Sequence, residues 1–128
     1  MKEILIIISI LILVIGSAFA IQNFLNKGTD ELVAKLEEMK KDIKEDNFKR
    51  EDLIKKTDKI YKEWKDVNDE WSTIVLHEEI DLIEMALIRM KSKIKIGKID
   101  ESMEDIDTSI FLLNHIKEKE KTSLKNIF

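Results

Sequence analysis

Cysteine and proline are absent from this chain, and glycine occurs only three times in 128 residues. Without cysteine there is no disulfide, thiolate metal site or cysteine nucleophile, so a stapled secreted mini-fold is excluded and stability must come from packing. Without proline, and with glycine only at positions 16, 28 and 97, few residues can interrupt a helix. Arginine is nearly missing: apart from Arg50 and Arg89, all 22 basic residues are lysine. That is poor material for bidentate phosphate or base-edge recognition, and no nucleic-acid partner is expected. No excess of one sign stands out either, because 26 acids and 22 bases interleave along the chain for a net charge of −4, as on a solvated surface. Catalytic templates are also lacking. There is no glycine-rich phosphate loop, no serine in a Gly-x-Ser-x-Gly turn, and only two histidines, so no enzymatic activity and no cofactor are expected.

What the chain does have begins with an apolar run. Ile4 to Asn26 carries no charged side chain, and Ser9 is the sole polar residue from Ile4 to Ile15. Such a stretch belongs in a bilayer or a translocon, and it approaches the roughly 20 residues that cross about 30 Å of hydrocarbon as a helix. Two readings follow for residues 1–26. In one the segment is an uncleaved transmembrane anchor. In the other it is a signal peptide, with Lys2 as its basic end, Ile4–Ile15 as its apolar core, Gly16 and Ser17 as breakers, and cleavage after Ala20 in Ala18-Phe19-Ala20. Apolar character resumes at Ile21, Phe24 and Leu25, which is longer than an export core requires and favours the anchor. Both readings place residues 27–128 outside the cytoplasm as one charged, all-helical domain, because the acids after Lys27 translocate readily.

Within that domain Gly28 is expected to mark the exit from the membrane, with Thr29 as N-cap and Asp30 and Glu31 in the first turn of a helix over about 30–46. Leu32, Leu36, Met39 and Ile43 form its stripe, and Glu31 with Lys35 and Glu37 with Lys41 form i, i+4 pairs. A second stripe runs Leu53, Thr57, Ile60, Trp64, Val67, Trp71 and Ile74, the alternation of four and three that marks a packed seam. It then changes phase to Leu76, Ile80, Ile83, Leu87, Met90 and Ile94, which predicts a break near Val67–Ser72. Gly97 closes this run after Lys91, Lys93 and Lys95. A last helix opens at Asp100, carries Met103, Ile106, Ile110, Leu113 and Ile116, and should fade near Lys121–Ser123. The fold class is therefore all-α: a transmembrane helix followed by two consecutive antiparallel hairpins, about 30–67 and 70–122, forming a four-helix bundle or an elongated stack. A single helix over 49–95 is the elongated alternative, and Phe48 and both tryptophans are core in either case. A hairpin centred on Gly97 sets Lys91–Lys95 across from Asp100–Glu104, so that these charges pair.

The most conspicuous local chemistry is His77-Glu78-Glu79-Ile80-Asp81-Leu82-Ile83-Glu84. His77, Asp81 and Glu84 share a helical face, and the hairpin sets His115 level with Ile80 and Asp81, so these four are candidate metal ligands for a small-ligand or metal sensor. The string is not the His-Glu-x-x-His of a zinc hydrolase, and polar groups lining a seam explain it more economically, with His77 near Trp71 or bonded to Asp81 or Glu84. Trp64 and Trp71, in phase with Ile60 and Val67, read as core.

An N-terminal anchor, Trp71, the string His77-Glu78-Glu79-Ile80-Asp81 and the closing Ser123-Leu124-Lys125-Asn126-Ile127-Phe128 together resemble a family of small bacterial membrane proteins, domain of unknown function forty-three sixty-three. The resemblance extends over essentially the whole chain. It implies a single-pass, all-helical protein of low-GC, spore-forming Gram-positive bacteria, without assigned catalysis and sometimes encoded beside another small integral membrane protein. It supplies no site residues. The expected role is that of a membrane-anchored, non-enzymatic helical interaction protein of the bacterial envelope, which docks a membrane or envelope protein through an apolar groove or through Leu124–Phe128.

Overall fold

A computed structural model describes residues 1–127, with Phe128 and the side chains of Ser123, Leu124 and Ile127 outside the described set. Four helices follow one another: α1 Lys2–Lys44, α2 Arg50–Trp71, α3 His77–Lys95 and α4 Ile99–Ile127. Each is antiparallel to the next. α1 packs on α2 and α4, and α3 packs on the same two, which makes an up-and-down four-helix bundle and excludes the elongated stack.

The helix expected to start at Asp30 is instead the second half of α1, whose 43 residues run unbroken for about 65 Å. A single glycine without a neighbouring proline costs a helix only about 1 kcal/mol, and Gly28 is held here by packing. A Cβ at this position would lie 3.1 Å from Cζ2 of Trp71, so the missing side chain lets the indole seat against the α1 backbone. Thr29 is accordingly no N-cap but a buried residue of the interior. From Lys2 to about Phe19 the helix projects beyond the bundle, and its most apolar window has no residue buried. Leu25 is the first residue to enter the core.

The core runs through Leu25, Leu32, Leu36 and Met39, then Leu53, Ile60, Trp64 and Trp71, then Ile80 to Ile94, and finally Ile106, Leu113 and Ile116. Phe48 and Val67 lie at its margin, half-buried. Both turns at the far end close by one motif. Asp46 (φ 52°) and Gly97 (φ 85°) adopt the left-handed conformation. Asn47 N–H then donates to the Asp42 carbonyl at 2.9 Å, and Lys98 N–H to the Lys93 carbonyl at 2.8 Å. The Arg50 guanidinium donates to the Lys95 carbonyl and ties the two turns together.

The break between α2 and α3 falls at residues 72–76, later than Val67, and rules out a continuous helix over 49–95. Trp71 is fully buried and keeps the helix intact until its side chain is seated; its carbonyl then accepts from Ile74 N–H (2.8 Å) and Val75 N–H (2.9 Å) in a tight turn. At the other end, α4 does not fade at Lys121–Ser123 but continues to Ile127. The described chain there contains no glycine or proline that would stop it.

Ion pairs straddle each seam and set its register. Lys56 meets Asp42 (2.8 Å) between α2 and α1, and Lys65 meets Glu84 (2.6 Å) between α2 and α3. Lys119 meets Glu79 (2.6 Å) between α4 and α3, while Lys40 meets Asp107 (2.6 Å) and Lys117 meets Asp30 (2.9 Å) between α1 and α4. Lys35 reaches across to Glu63, not along its own helix to Glu31. Exposed pairs of this kind contribute about 0–1 kcal/mol each, so they tune alignment more than stability.

Candidate functional site

His77, Asp81, Glu84 and His115 are not gathered into a site. Glu84 turns toward α2, where it accepts from Tyr61 Oη (3.3 Å) and pairs with Lys65. The opposite flank of α3 meets α4, through Glu79 with Lys119 and Lys93 with Asp105. His115 lies on α4 and stacks on Phe111, with ring centroids 6.0 Å apart. His77, Asp81 and His115 are exposed. Lys93 with Asp105 and Lys119 with Glu79 set His115 near the level of Asp81, but a shared level does not give a shared face. Among the described residues no group of three or more His, Asp or Glu is placed to hold a metal ion.

The lysines before Gly97 also divide between two helices. Lys93 and Arg89 both reach Asp105, a carboxylate only 4% exposed, at 2.8 and 3.3 Å. Lys91 and Lys95 turn instead to Asp58 on α2, at 3.1 and 3.5 Å. The hydrogen bond from Lys91 holds the Asp58 carboxyl below the usual carboxylate range, with Lys95 adding to the effect.

Two other regions carry functional potential. The first is the junction between the projecting helix and the bundle. There Trp71 packs on Gly28 and meets Trp64 edge to face, with centroids 6.0 Å apart and planes at 88°. Among the described residues neither indole N–H nor the Thr29 hydroxyl has a hydrogen-bond partner, so this layer is held by apolar packing. Beside it stand Glu79, which takes Lys119 on one oxygen, and Glu120. Burial, and then the Glu79 charge, push the Glu120 carboxyl above its usual range against the opposing pull of Lys119. A carboxyl raised in the folded state stabilises the fold fully below its unfolded value and loses that contribution as pH rises through the folded value. Glu120→Gln is therefore expected to raise the melting temperature near about pH 7, with the gain shrinking toward about pH 4. Thermal melts of both proteins across that range check it, and a gain that grew on acidification would contradict the assignment.

The second region is the outer face of α3, where Leu82, Met85 and Ile88 are all exposed at i, i+3 and i+6. Phe111 on α4 is 67% exposed. The stripe expected on α3, Leu76 to Ile94, does not include Leu82, Met85 and Ile88, and its first member, Leu76, is itself exposed in the turn before α3. The signal was present, since a helix with one core face has no need of three more large apolar residues out of phase with it. The expected apolar groove takes a different form: the clefts between α1 and α2 are edged by charge, one of about 210 Å³ being lined by Lys35, Glu38, Met39, Lys56, Lys59 and Ile60. Of the C-terminal docking segment, Phe128 and the side chains of Leu124 and Ile127 lie outside the described residues.

Comparison with curated proteins and with solved structures finds no match in either case. A family model does match, over nearly all of the bundle and the last turns of the apolar segment. The chain belongs to the family described as Domain of unknown function (DUF4363), whose model covers residues 19–127.

Proposed function

We propose that this protein is a single-pass, membrane-anchored and non-enzymatic interaction module of the bacterial envelope, with its bundle outside the cytoplasm and docked on another membrane or envelope protein. The observation that carries the reading is the projecting half of α1, apolar and bare of any protein cover, continuing without a break into a packed, charged bundle. Lipid is the solvent that such a surface fits. The exposed Leu82, Met85 and Ile88 stripe supports protein docking, because a solvated helix gains nothing from three apolar side chains in a row. Confinement to a membrane also reduces the search for a partner to two dimensions, so a modest face is sufficient.

Fractionation with a reporter fused after Phe128 tests anchor and orientation together. The uncut chain is expected in the membrane pellet with the reporter outside the cytoplasm. Release of a chain beginning at Ile21 would replace the anchor with a cleaved signal, and a cytoplasmic reporter would overturn the orientation. For docking, crosslinked membranes should yield a partner that is lost with Leu82→Lys and Met85→Lys combined. Recovery of the bait alone from wild-type membranes would count against docking.

A further inference from the structure

The end of the bundle nearest the projecting helix is built from three pieces. Gly28 of α1 is in contact with Trp71, the last residue of α2. The turn Ser72–Leu76 follows at once, and Leu76 is 61% exposed beside the half-buried Ile74. The ion pairs Lys40 with Asp107 and Lys117 with Asp30 set the α1–α4 register, which brings residues 121–127 of α4 level with about residues 20–26 of α1. Lys121 and Lys125 are exposed on that stretch. α1 is one unbroken helix, so the height of each piece above the apolar span follows from the rise of about 1.5 Å per residue.

The span ends where polar residues return. It ends at Ile21, short of Asn26, because Gln22, Asn23 and Asn26 are polar and Leu25 is packed in the bundle core, and Gln22 donates to Asn26 at 3.1 Å along the helix. From Ile21 to Gly28 is about 10 Å, which is the depth of the headgroup layer to within a turn of helix. The turn carrying Leu76 therefore stands at the edge of that layer, and the last turns of α4 stand within it. Lysines on the α4 end can extend to phosphates while their stems stay on apolar ground.

We infer that this end of the bundle rests on the bilayer, with Leu76 and Ile74 of the α2–α3 turn and the exposed Lys121 and Lys125 of α4 as its contact surface and phospholipid headgroups as its ligand. The inference rests on α1 being held in the membrane. What selects lipid over a second protein is continuity: the surface is an extension of the apolar span itself, held at fixed height by a helix without a hinge. The contact does not depend on anionic lipid, because α2 ends without a basic residue in its last turn and carries Asp69 and Glu70 there, which offset Lys121 and Lys125. Zwitterionic lipid is accordingly expected to suffice.

The chain has no native cysteine, so single labels can be placed cleanly. Leu76→Cys, Ile96→Cys and Val14→Cys, each spin-labelled in the full chain and reconstituted in phosphatidylcholine vesicles, report depth from collisions with oxygen and with a water-soluble nickel chelate. Ile96 is the internal reference, being 65% exposed at the opposite end of the bundle. Position 76 is expected to show nickel accessibility several-fold below position 96, with oxygen accessibility raised. Equal nickel accessibility at 76 and 96, with position 14 in hydrocarbon, would overturn the resting contact and leave the anchor standing. An aqueous signal at position 14 would overturn both. Loss of both collision agents at 76 would show a protein surface over it, a second copy in this system, and would also overturn the inference.

Discussion

Replacing Trp71 with alanine is expected to lower the stability of the bundle by about 3–5 kcal/mol, the range for removing a large aromatic from a core that cannot collapse. The indole is fully buried, its benzo edge lies against the backbone at Gly28, and its plane is perpendicular to that of Trp64. Collapse would require α1 to move toward α2, yet that seam is already packed by Leu32, Leu36, Leu53, Ile60 and Trp64. Domains of this size have stabilities of roughly 5–15 kcal/mol, so the variant should sit close to unfolding at ambient temperature. Urea titration followed by circular dichroism measures the change. Ile96→Ala, at an exposed residue, should stay within about 0.5 kcal/mol. A loss at Trp71 no larger than that at Ile96 would mean that the junction is not packed as described.

The second large effect lies in the projecting segment. Leu11→Lys and Ile12→Lys together place two ammonium groups near the middle of the apolar run, at roughly 3 kcal/mol each for a helix centred in a bilayer. Both side chains are exposed and far from the core, so the bundle should melt as before. The expected outcome is a chain lost from the membrane pellet with its unfolding transition unchanged. That separation of effects is diagnostic, because a segment packed inside the protein would lose stability along with partition. Unaltered membrane recovery would refute the anchor.

Much of the fold could be read from the sequence, and the misses share a cause. Periodicity identifies most of the interior: Leu32 to Ile43, Leu53 to Trp71 and Ile80 to Ile94 line it, with Val67 and Ile74 only half-buried and Leu76 exposed in the turn. Gly97 could be read as a cap because a glycine, a preceding lysine cluster and a following acidic turn all agree there, and its φ of 85° bears this out. Gly28 is not legible in this way, because a glycine that ends a helix and a glycine that admits a neighbouring ring look alike in one dimension; only the position of Trp71 separates them. The proposed metal set failed for a related reason. Levels along a hairpin follow from counting residues, but the flank a side chain takes depends on which other helix is adjacent, and α2 claimed Glu84 through Tyr61 and Lys65. The outer stripe on α3 was legible in principle, and it was obscured by the stronger pattern that shares its helix.

The absence of a joint at residue 28 gives α1 the mechanics of a mast. A helix in lipid tilts by roughly 20° to match the thickness around it, and a rigid extension of about 25 Å beyond Gly28 would then carry the turns at Asp46 and Gly97 sideways by close to 10 Å. If α1 is anchored in lipid as proposed, bilayer thinning or thickening would be converted into lateral displacement of the far tip, where a flexible linker would have absorbed it.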